Sequence, residues 1–463
     1  MNVNRTAAAL FTLSLAVGLI SIFLFPVLWW DEGVYADLGR TLADTGSYSF
    51  DRWGDWVGSG AYVPGFRPPL LPLLAAGAYA LGLPGAIFLI IPFAAAGGTL
   101  ALWLLVKRIY GQKTATCAAL LMAFTPLFVL YSGRLLNDVL ATALGTAAFL
   151  TFWIGFEEGQ NRSKLLCGFF TGVAVLTRYP MLLLPLLFAL WLPLRTKSFS
   201  FLRDRWLLLS ILIFVLTLSP WLLWSNATYG NPFGAFLHGL QSSGYWGGIQ
   251  PPWFVLEQAL PMFSILVFPA VWGMWLAAKK RGPAELLLLI WAVVWLVAMS
   301  MLVHKEDRFF LPALPPLAAL AALALGKVRW KHAFVLVICL LVVSSGAKLA
   351  WQATSSRTQH ETCFLDATAW LARTEDNSLI LTDNSPVVYF YTHRENHFYP
   401  ASVAGIKELV DRYYAGRPVY VLWSESENNQ AFRQQLMTDN NFGQVWTCSS
   451  NQSLAAIWKL NTG

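Results

Sequence analysis

The sequence predicts a polytopic α-helical membrane protein carrying a small α/β domain at its C-terminal end. Three observations lead there. Apolar residues make up 56% of the 463 residues and charged residues only 12%, about half the roughly 25% of a soluble domain. Mean hydropathy is +0.53. The apolar residues gather in successive runs, and the composition turns polar near residue 350. A soluble chain cannot cover so much apolar surface. A soluble enzyme, a secreted disulfide scaffold and a disordered chain are therefore excluded. The net charge of +7 does not mark a nucleic-acid binder, because Lys and Arg lie mostly in short clusters between apolar runs, where they set topology. The 22 Trp suit membrane interfaces.

The first run, 6–30, is too long for a signal-peptide core and lacks a convincing cleavage site, so it reads as a retained span. Further runs follow at 70–83, 86–106, 114–132, 138–155, 165–178, 180–194, 206–225, 258–277, 284–303, 309–326 and 331–350. A span needs about 20 residues, and 70–83 is the shortest candidate. Charge decides what that run does. If it does not cross, the inside loops carry Lys107, Arg108 and Lys113, then Arg162 and Lys164, then Arg195, Lys197, Arg203 and Arg205. Lys279, Lys280 and Arg281, then Lys327, Arg329 and Lys331, fall on the same side, while outer segment 226–256 has no Lys or Arg. If 70–83 crosses, the bias reverses. The positive-inside rule thus favours about eleven spans, with 70–83 a peripheral or re-entrant helix. It places 31–69 and the C-terminal tail outside the cytosol.

From 351 onward, short apolar segments at 378–381, 418–423, 444–448 and 454–460 alternate with helix-like stretches at 364–373, 402–414 and 428–437. That alternation predicts an α/β domain. The expected domains are a transmembrane domain, 1–350, with its first outer loop at 31–69, and an extracytoplasmic domain, 351–463. Cys117, Cys167 and Cys339 lie in spans and read as small apolar residues. Cys363 and Cys448 fall in the outer domain, where an oxidising compartment would allow a disulfide if their geometry permits. No CxxC or metal-type His pair is present; His393 and His397, beside Glu395, read as an exposed polar loop.

Trp29-Trp30-Asp31-Glu32 puts two carboxylates directly after an apolar span. A low-dielectric neighbourhood raises a carboxylate's pKa toward what a general base needs. A polar stop at a helix end is the plainer reading. The long loop behind it favours function: it holds Asp37 in a helix-like stretch over 32–44 and ends at Arg67-Pro68-Pro69. His304-Lys305-Glu306-Asp307-Arg308-Phe309 sets potential cations at the outer end of a span, on the side that topology keeps poor in Lys and Arg. Snorkelling anchors are the plainer reading; an anionic lipid phosphate is the reason the cluster would otherwise need. Arg134 and Asp138 are four apart and would share a helix face as an ion pair. Arg178 could equally anchor at the interface.

The run DEGVYADLGRTLADTG after the first span, followed by Arg-Pro-Pro before an apolar run, resembles the GT-C glycosyltransferases, closest to family 39 of the protein O-mannosyltransferase type and the lipid A aminoarabinose transferase. Gly133-Arg134-Leu-Leu-Asn137-Asp138 resembles the second acidic motif of that family, and Thr177-Arg178-Tyr-Pro180 a segment with a cation before Pro. The likeness covers about 1–235. His304–Phe309 is similar instead to the His-Lys-Glu-x-Arg-Phe motif of the family 22 mannosyltransferases, also GT-C.

The resemblance implies transfer of a sugar from a polyprenyl- or dolichyl-phosphate donor at the outer face. Asp31 would be the general base, with Glu32 and Asp138 as further catalytic carboxylates. Arg178, His304, Lys305, Arg308, Arg67 and Arg134 would hold the donor phosphate. Asp37 and Glu306 would orient the acceptor, which could be protein, lipid or glycan. A phosphate leaving group needs cations rather than a general acid, and displacement in one step would invert the sugar carbon. No cofactor is required; a divalent metal, if used, would take Asp31, Glu32 and Asp138. A prokaryotic plasma membrane is the expected location. A lipid or lipid-linked sugar transporter is the alternative, but transporters place ionisable groups near mid-membrane, and here they gather at span ends.

Overall fold

Within hydrocarbon every backbone N–H must be satisfied inside its own segment, so apolar runs of this length become helices. The computed structural model describes residues 3–24, 27–50, 53–54, 63–64, 66–245, 249–328, 331–356, 359–400, 402–424, 430–449 and 453–461. In chain order the helices are α1 (Val3–Leu24), α2 (Trp30–Thr45), α3 (Leu70–Ala80), α4 (Ile90–Tyr110), α5 (Gln112–Ala123), α6 (Pro126–Tyr131), α7 (Asn137–Phe152) and α8 (Asn161–Thr177). There follow α9 (Leu183–Thr196), α10 (Arg205–Tyr229), α11 (Gly234–Tyr245), α12 (Phe254–Phe263), α13 (Val267–Lys280), α14 (Pro283–Ser300), α15 (Leu314–Leu325) and α16 (Lys331–Ser356).

The chain forms two compact units. The first comprises Met1–Leu24, Phe66–Leu71 and Phe88–Leu349. Among the described residues, 9 helical stretches are long and apolar enough to cross a membrane. Two of the expected spans are shorter. The run 114–132 breaks at Phe124 and Thr125, ahead of Pro126, into α5 and α6, because Pro has no N–H to continue the ladder. The run 165–178 lies in α8, which has 17 residues. The 11 residues of α3 rise only about 16 Å, so 70–83 cannot span roughly 30 Å of hydrocarbon. Small residues bring helix backbones together: a Cβ on Gly273 would lie 2.0 Å from the Leu320 carbonyl oxygen, joining α13 to α15. Stacked rings fill a layer between α7, α9 and α14, with Phe149 on Trp291 at 3.6 Å and Phe152 on Phe188 at 4.1 Å.

The second unit comprises Phe25–Gly65, Pro72–Ile87 and Ala350–Gly463. Its strands are β1 (Ser49–Phe50), β2 (Trp53–Gly54), β3 (Val63–Pro64), β4 (Leu379–Thr382), β5 (Asn396–Phe398), β6 (Val419–Ser424), β7 (Phe442–Ser449) and β8 (Ser453–Leu460). Its later helices are α17 (Gln359–Leu371), α18 (Ser385–Thr392), α19 (Val403–Tyr413) and α20 (Gln430–Thr438). A six-stranded sheet runs β2-β5-β4-β6-β8-β7, parallel through β6 and antiparallel after it. Leu381, Val421, Trp423, Ile406, Leu436 and Trp458 form its core. Cys363 and Cys448 form a disulfide with Cα atoms 5.5 Å apart.

The division at residue 350 expected from composition misses one relation. β2, from the segment 31–69, pairs in parallel with β5, Trp53 opposite Asn396. A short strand covers a sheet edge that would otherwise expose its polar backbone groups, and a two-residue strand has no sequence signature. α2 packs within the same unit. A Cβ on Gly33 would approach the Pro386 carbonyl carbon at 2.9 Å, and one on Gly39 the Ala75 Cβ at 2.6 Å, so α2 rests closely on α18 and α3.

Candidate active site

The first unit assembles charge around the start of α7. Leu136 is extended at the N-cap, which turns Asp138 inward in the first helical turn, where it is 0% exposed. A buried carboxylate needs cations. Arg178, in extended conformation at the end of α8, pairs with Asp138. Arg308 approaches the other oxygen, Nη1 to Oδ2 3.9 Å. Arg308 also grips Glu306 with two nitrogens, Nε to Oε2 2.7 Å and Nη2 to Oε1 2.9 Å, and His304 Nε2 lies 3.2 Å from Glu306 Oε1. A continuous chain His304–Glu306–Arg308–Asp138–Arg178 results. The Phe309 ring lies 4.5 Å from the Arg178 guanidinium and 5.9 Å from that of Arg308, and its carbonyl accepts the Trp295 indole N–H at 3.0 Å. Asn137 ties the segment to the end of α8 by donating to the Thr177 carbonyl at 2.8 Å.

Glu306 has φ −126° and ψ 154°. Around an extended residue neighbouring side chains take opposite sides. Lys305 and Asp307 accordingly turn away from the chain just described. Lys305, expected among the phosphate-binding cations, is buried and donates its ammonium to the Gln250 carbonyl at 2.7 Å; its N–H donates to Gln250 Oε1 at 2.5 Å. Asp307 accepts the Tyr131 hydroxyl at 2.5 Å and lies 3.5 Å from Lys348 Nζ.

Arg134 is buried, but it precedes α7 in a turn, so it does not share a helix face with Asp138 as the spacing suggested. Its turn is pressed onto α1: a Cβ on Gly133 would meet Ser21 Cβ at 2.6 Å, and Ser21 donates to the Leu130 carbonyl at 3.2 Å. Arg67 lies 5.7 Å from the Phe66 ring. The Phe66 carbonyl accepts the Tyr179 hydroxyl at 2.7 Å, which binds this segment to the residue after Arg178.

Asp31, Glu32 and Asp37 belong to the second unit, on α2. The two adjacent acids differ. Glu32 is buried, and its Oε2 accepts the Trp29 N–H at 2.7 Å, so it caps its own helix. Asp31 is partly exposed and Asp37 is buried. Farther along α2, Arg40 Nη1 reaches His393 Nδ1 at 2.7 Å. Burial and the Arg40 charge hold the His393 pKa below its ordinary value, so the neutral ring accepts from the guanidinium. His397, unlike His393, is buried, 2.9 Å from the Tyr414 hydroxyl. His393 is thus exposed, as expected of a polar loop, whereas His397 is packed. Glu395 is pushed down to about 2, first by its hydrogen bond with His397, then by Arg417 at 2.9 Å. Among the described residues no three His, Cys, Asp or Glu side chains are grouped to hold a metal ion; of the acids proposed for one, Asp31 and Glu32 lie in one unit and Asp138 in the other.

Reading by motif missed Tyr131, Gln250 and Lys348. None stands in a recognisable pattern, and each acquires its place only through contacts distant in sequence.

Residues 86–403 match the model of the Alg9-like mannosyltransferase family. GPI mannosyltransferase 3 of Yarrowia lipolytica is 27% identical over 300 residues, covering 60% of this chain and 56% of that protein. GPI mannosyltransferase 3 of Drosophila melanogaster is 25% identical over 361 residues, covering 74% and 61%. The chain thus spans less than two thirds of the length of these curated relatives. Among solved structures, ArnT from Cupriavidus metallidurans bound to undecaprenyl phosphate superposes with a TM-score of 0.74 at 15% identity, over 99% of this chain and 98% of that one. The apo oligosaccharyltransferase of Archaeoglobus fulgidus gives 0.62 at 13% identity, over 90% and 69%. These two likenesses show a shared fold.

Proposed function

Because this chain belongs to the Alg9-like mannosyltransferase family, we propose that it transfers a mannosyl group from a polyprenyl- or dolichyl-phosphate donor to an acceptor hydroxyl at the outer face of a membrane. The observation that carries this reading is the pair of arginines, Arg178 and Arg308, held on one buried carboxylate, Asp138. Fixed guanidiniums match the oxygens of a departing phosphate. The relatives' names supply the mannosyl group, and the undecaprenyl phosphate bound to ArnT supports a lipid-phosphate carrier.

The acceptor oxygen attacks the anomeric carbon, its proton passes to Asp31, and the C–O bond to phosphate breaks with its electron pair leaving on the phosphate. Arg178, Arg308 and His304 balance the charge that develops there. One displacement inverts the anomeric centre. The phosphate leaves without protonation, so the scheme calls for no metal. The positive-inside bias of the loops supports an extracytoplasmic active face, and we place the protein in a prokaryotic plasma membrane.

The test is transfer of radiolabelled sugar from a panel of polyprenyl-phosphate sugars by the purified protein in detergent, with membrane extract as acceptor source. Consumption of the mannosyl donor by wild type and not by Asp31→Ala supports donor and base together. Consumption of no donor would sink the transferase reading, and a lipid transport assay in liposomes would follow.

A further inference from the structure

The side chains that face away from the His304–Arg308 chain carry an assignment of their own. Asp307 sits beside Arg308, yet its carboxylate is gripped from two other elements. The Tyr131 hydroxyl, at the end of α6, donates to Oδ1 at 2.5 Å. Lys348 Nζ, near the end of α16, lies 3.5 Å from Oδ2 and donates to the Pro261 carbonyl of α12 at 3.3 Å. Tyr131 immediately precedes the turn that delivers Asn137 and Asp138 to α7. The segments 304–308 and 131–138 are therefore joined by Arg308 with Asp138 and by Asp307 with Tyr131.

A guanidinium at the end of a flexible stem is aimed best when its backbone is held as well as its tip, and the 3.9 Å pair with Asp138 acts on the tip. A Tyr hydroxyl meeting a carboxylate at 2.5 Å is a charge-assisted bond of the short, directional kind. We propose that Asp307 is a positioning residue: pinned by Tyr131 and Lys348, it fixes the backbone of 304–308 so that Arg308 and His304 face Asp138 and Arg178. Lys305 performs the same service from the preceding position through Gln250. The consequence for binding rests on the reading of Arg178 and Arg308 as donor-phosphate ligands; the positioning itself does not.

The experiment uses the full chain in detergent and two readouts. The first is amide hydrogen exchange over 302–310. The second is the Kd for tritiated undecaprenyl phosphate. Asp307→Ala is expected to speed exchange in that segment and weaken binding about tenfold, with turnover falling by up to about 100-fold. Asp307→Asn keeps an oxygen for the Tyr131 hydroxyl and should return both readouts to within about threefold of wild type. Unchanged exchange in Asp307→Ala overturns the proposal, as does loss of binding by Asp307→Asn as deep as by Asp307→Ala. If Asp307→Ala fails to fold, Tyr131→Phe and Lys348→Met each remove one contact and leave the carboxylate. Faster exchange at 302–310 in these variants upholds the assignment, and unchanged exchange in both defeats it. Failure of wild type to bind undecaprenyl phosphate would count against the donor reading alone, and exchange would still decide the role of Asp307.

Discussion

Asp31 and Glu32 are neighbours of the same chemistry with different work. Glu32 caps the helix on which both stand, and Asp31 beside it is partly exposed. Glu32→Gln should cost about 1 kcal/mol of stability and leave kcat within about twofold, whereas Asp31→Asn should lower kcat by about 100-fold or more, the contribution of a general base. Side-by-side thermal melts and turnover numbers check the pair. The cations differ in the same way. Arg308→Lys loses the two-nitrogen grip on Glu306 and should raise the donor KM about tenfold. Lys305→Met removes an ammonium bonded to a buried carbonyl and should lower the melting temperature instead. The motif from His304 to Phe309 was legible as a cluster of charge. Which members face the site was not, because that depends on one extended residue, Glu306.

Helices α2 and α18 meet through backbone. Gly33 has no side chain to hold them apart, and a methyl there would press on Pro386 at 2.9 Å. Gly33→Ala should therefore destabilise the second unit by about 1–3 kcal/mol, read as an earlier unfolding transition by calorimetry. Hydropathy located the long spans well, since a run of apolar residues and a helix in lipid are nearly the same statement. It overran at 114–132, where composition is continuous and only the Pro126 backbone breaks the helix. It could not see β2, whose two residues acquire meaning from β5.

Across the molecule the two units answer to different forces. Reducing the Cys363–Cys448 bond opens a loop spanning 85 residues of sequence and should cost the second unit about 2–5 kcal/mol, with little change in the helical spans. Acid should act on the same unit. The Glu395 carboxyl is held near 2, below its ordinary 4.5, by His397 and Arg417. A depressed carboxylate contributes stability that is complete above its unfolded pKa and is lost as pH falls through the folded one. Glu395→Gln should then flatten the acid side of the unfolding curve between about pH 4.5 and 2. The amino-acid sequence by itself determined that the chain is a membrane protein of many spans, where its composition turns polar and which segments carry unusual charge, because hydropathy and charge are local and additive along the chain. Only the tertiary structure decided that Asp138 gathers Arg178 and Arg308, that Glu32 is a cap, and that a strand from the segment 31–69 joins the C-terminal sheet. Each of those is a contact between residues far apart in sequence, and a buried charge or an open sheet edge finds its match in space rather than along the chain.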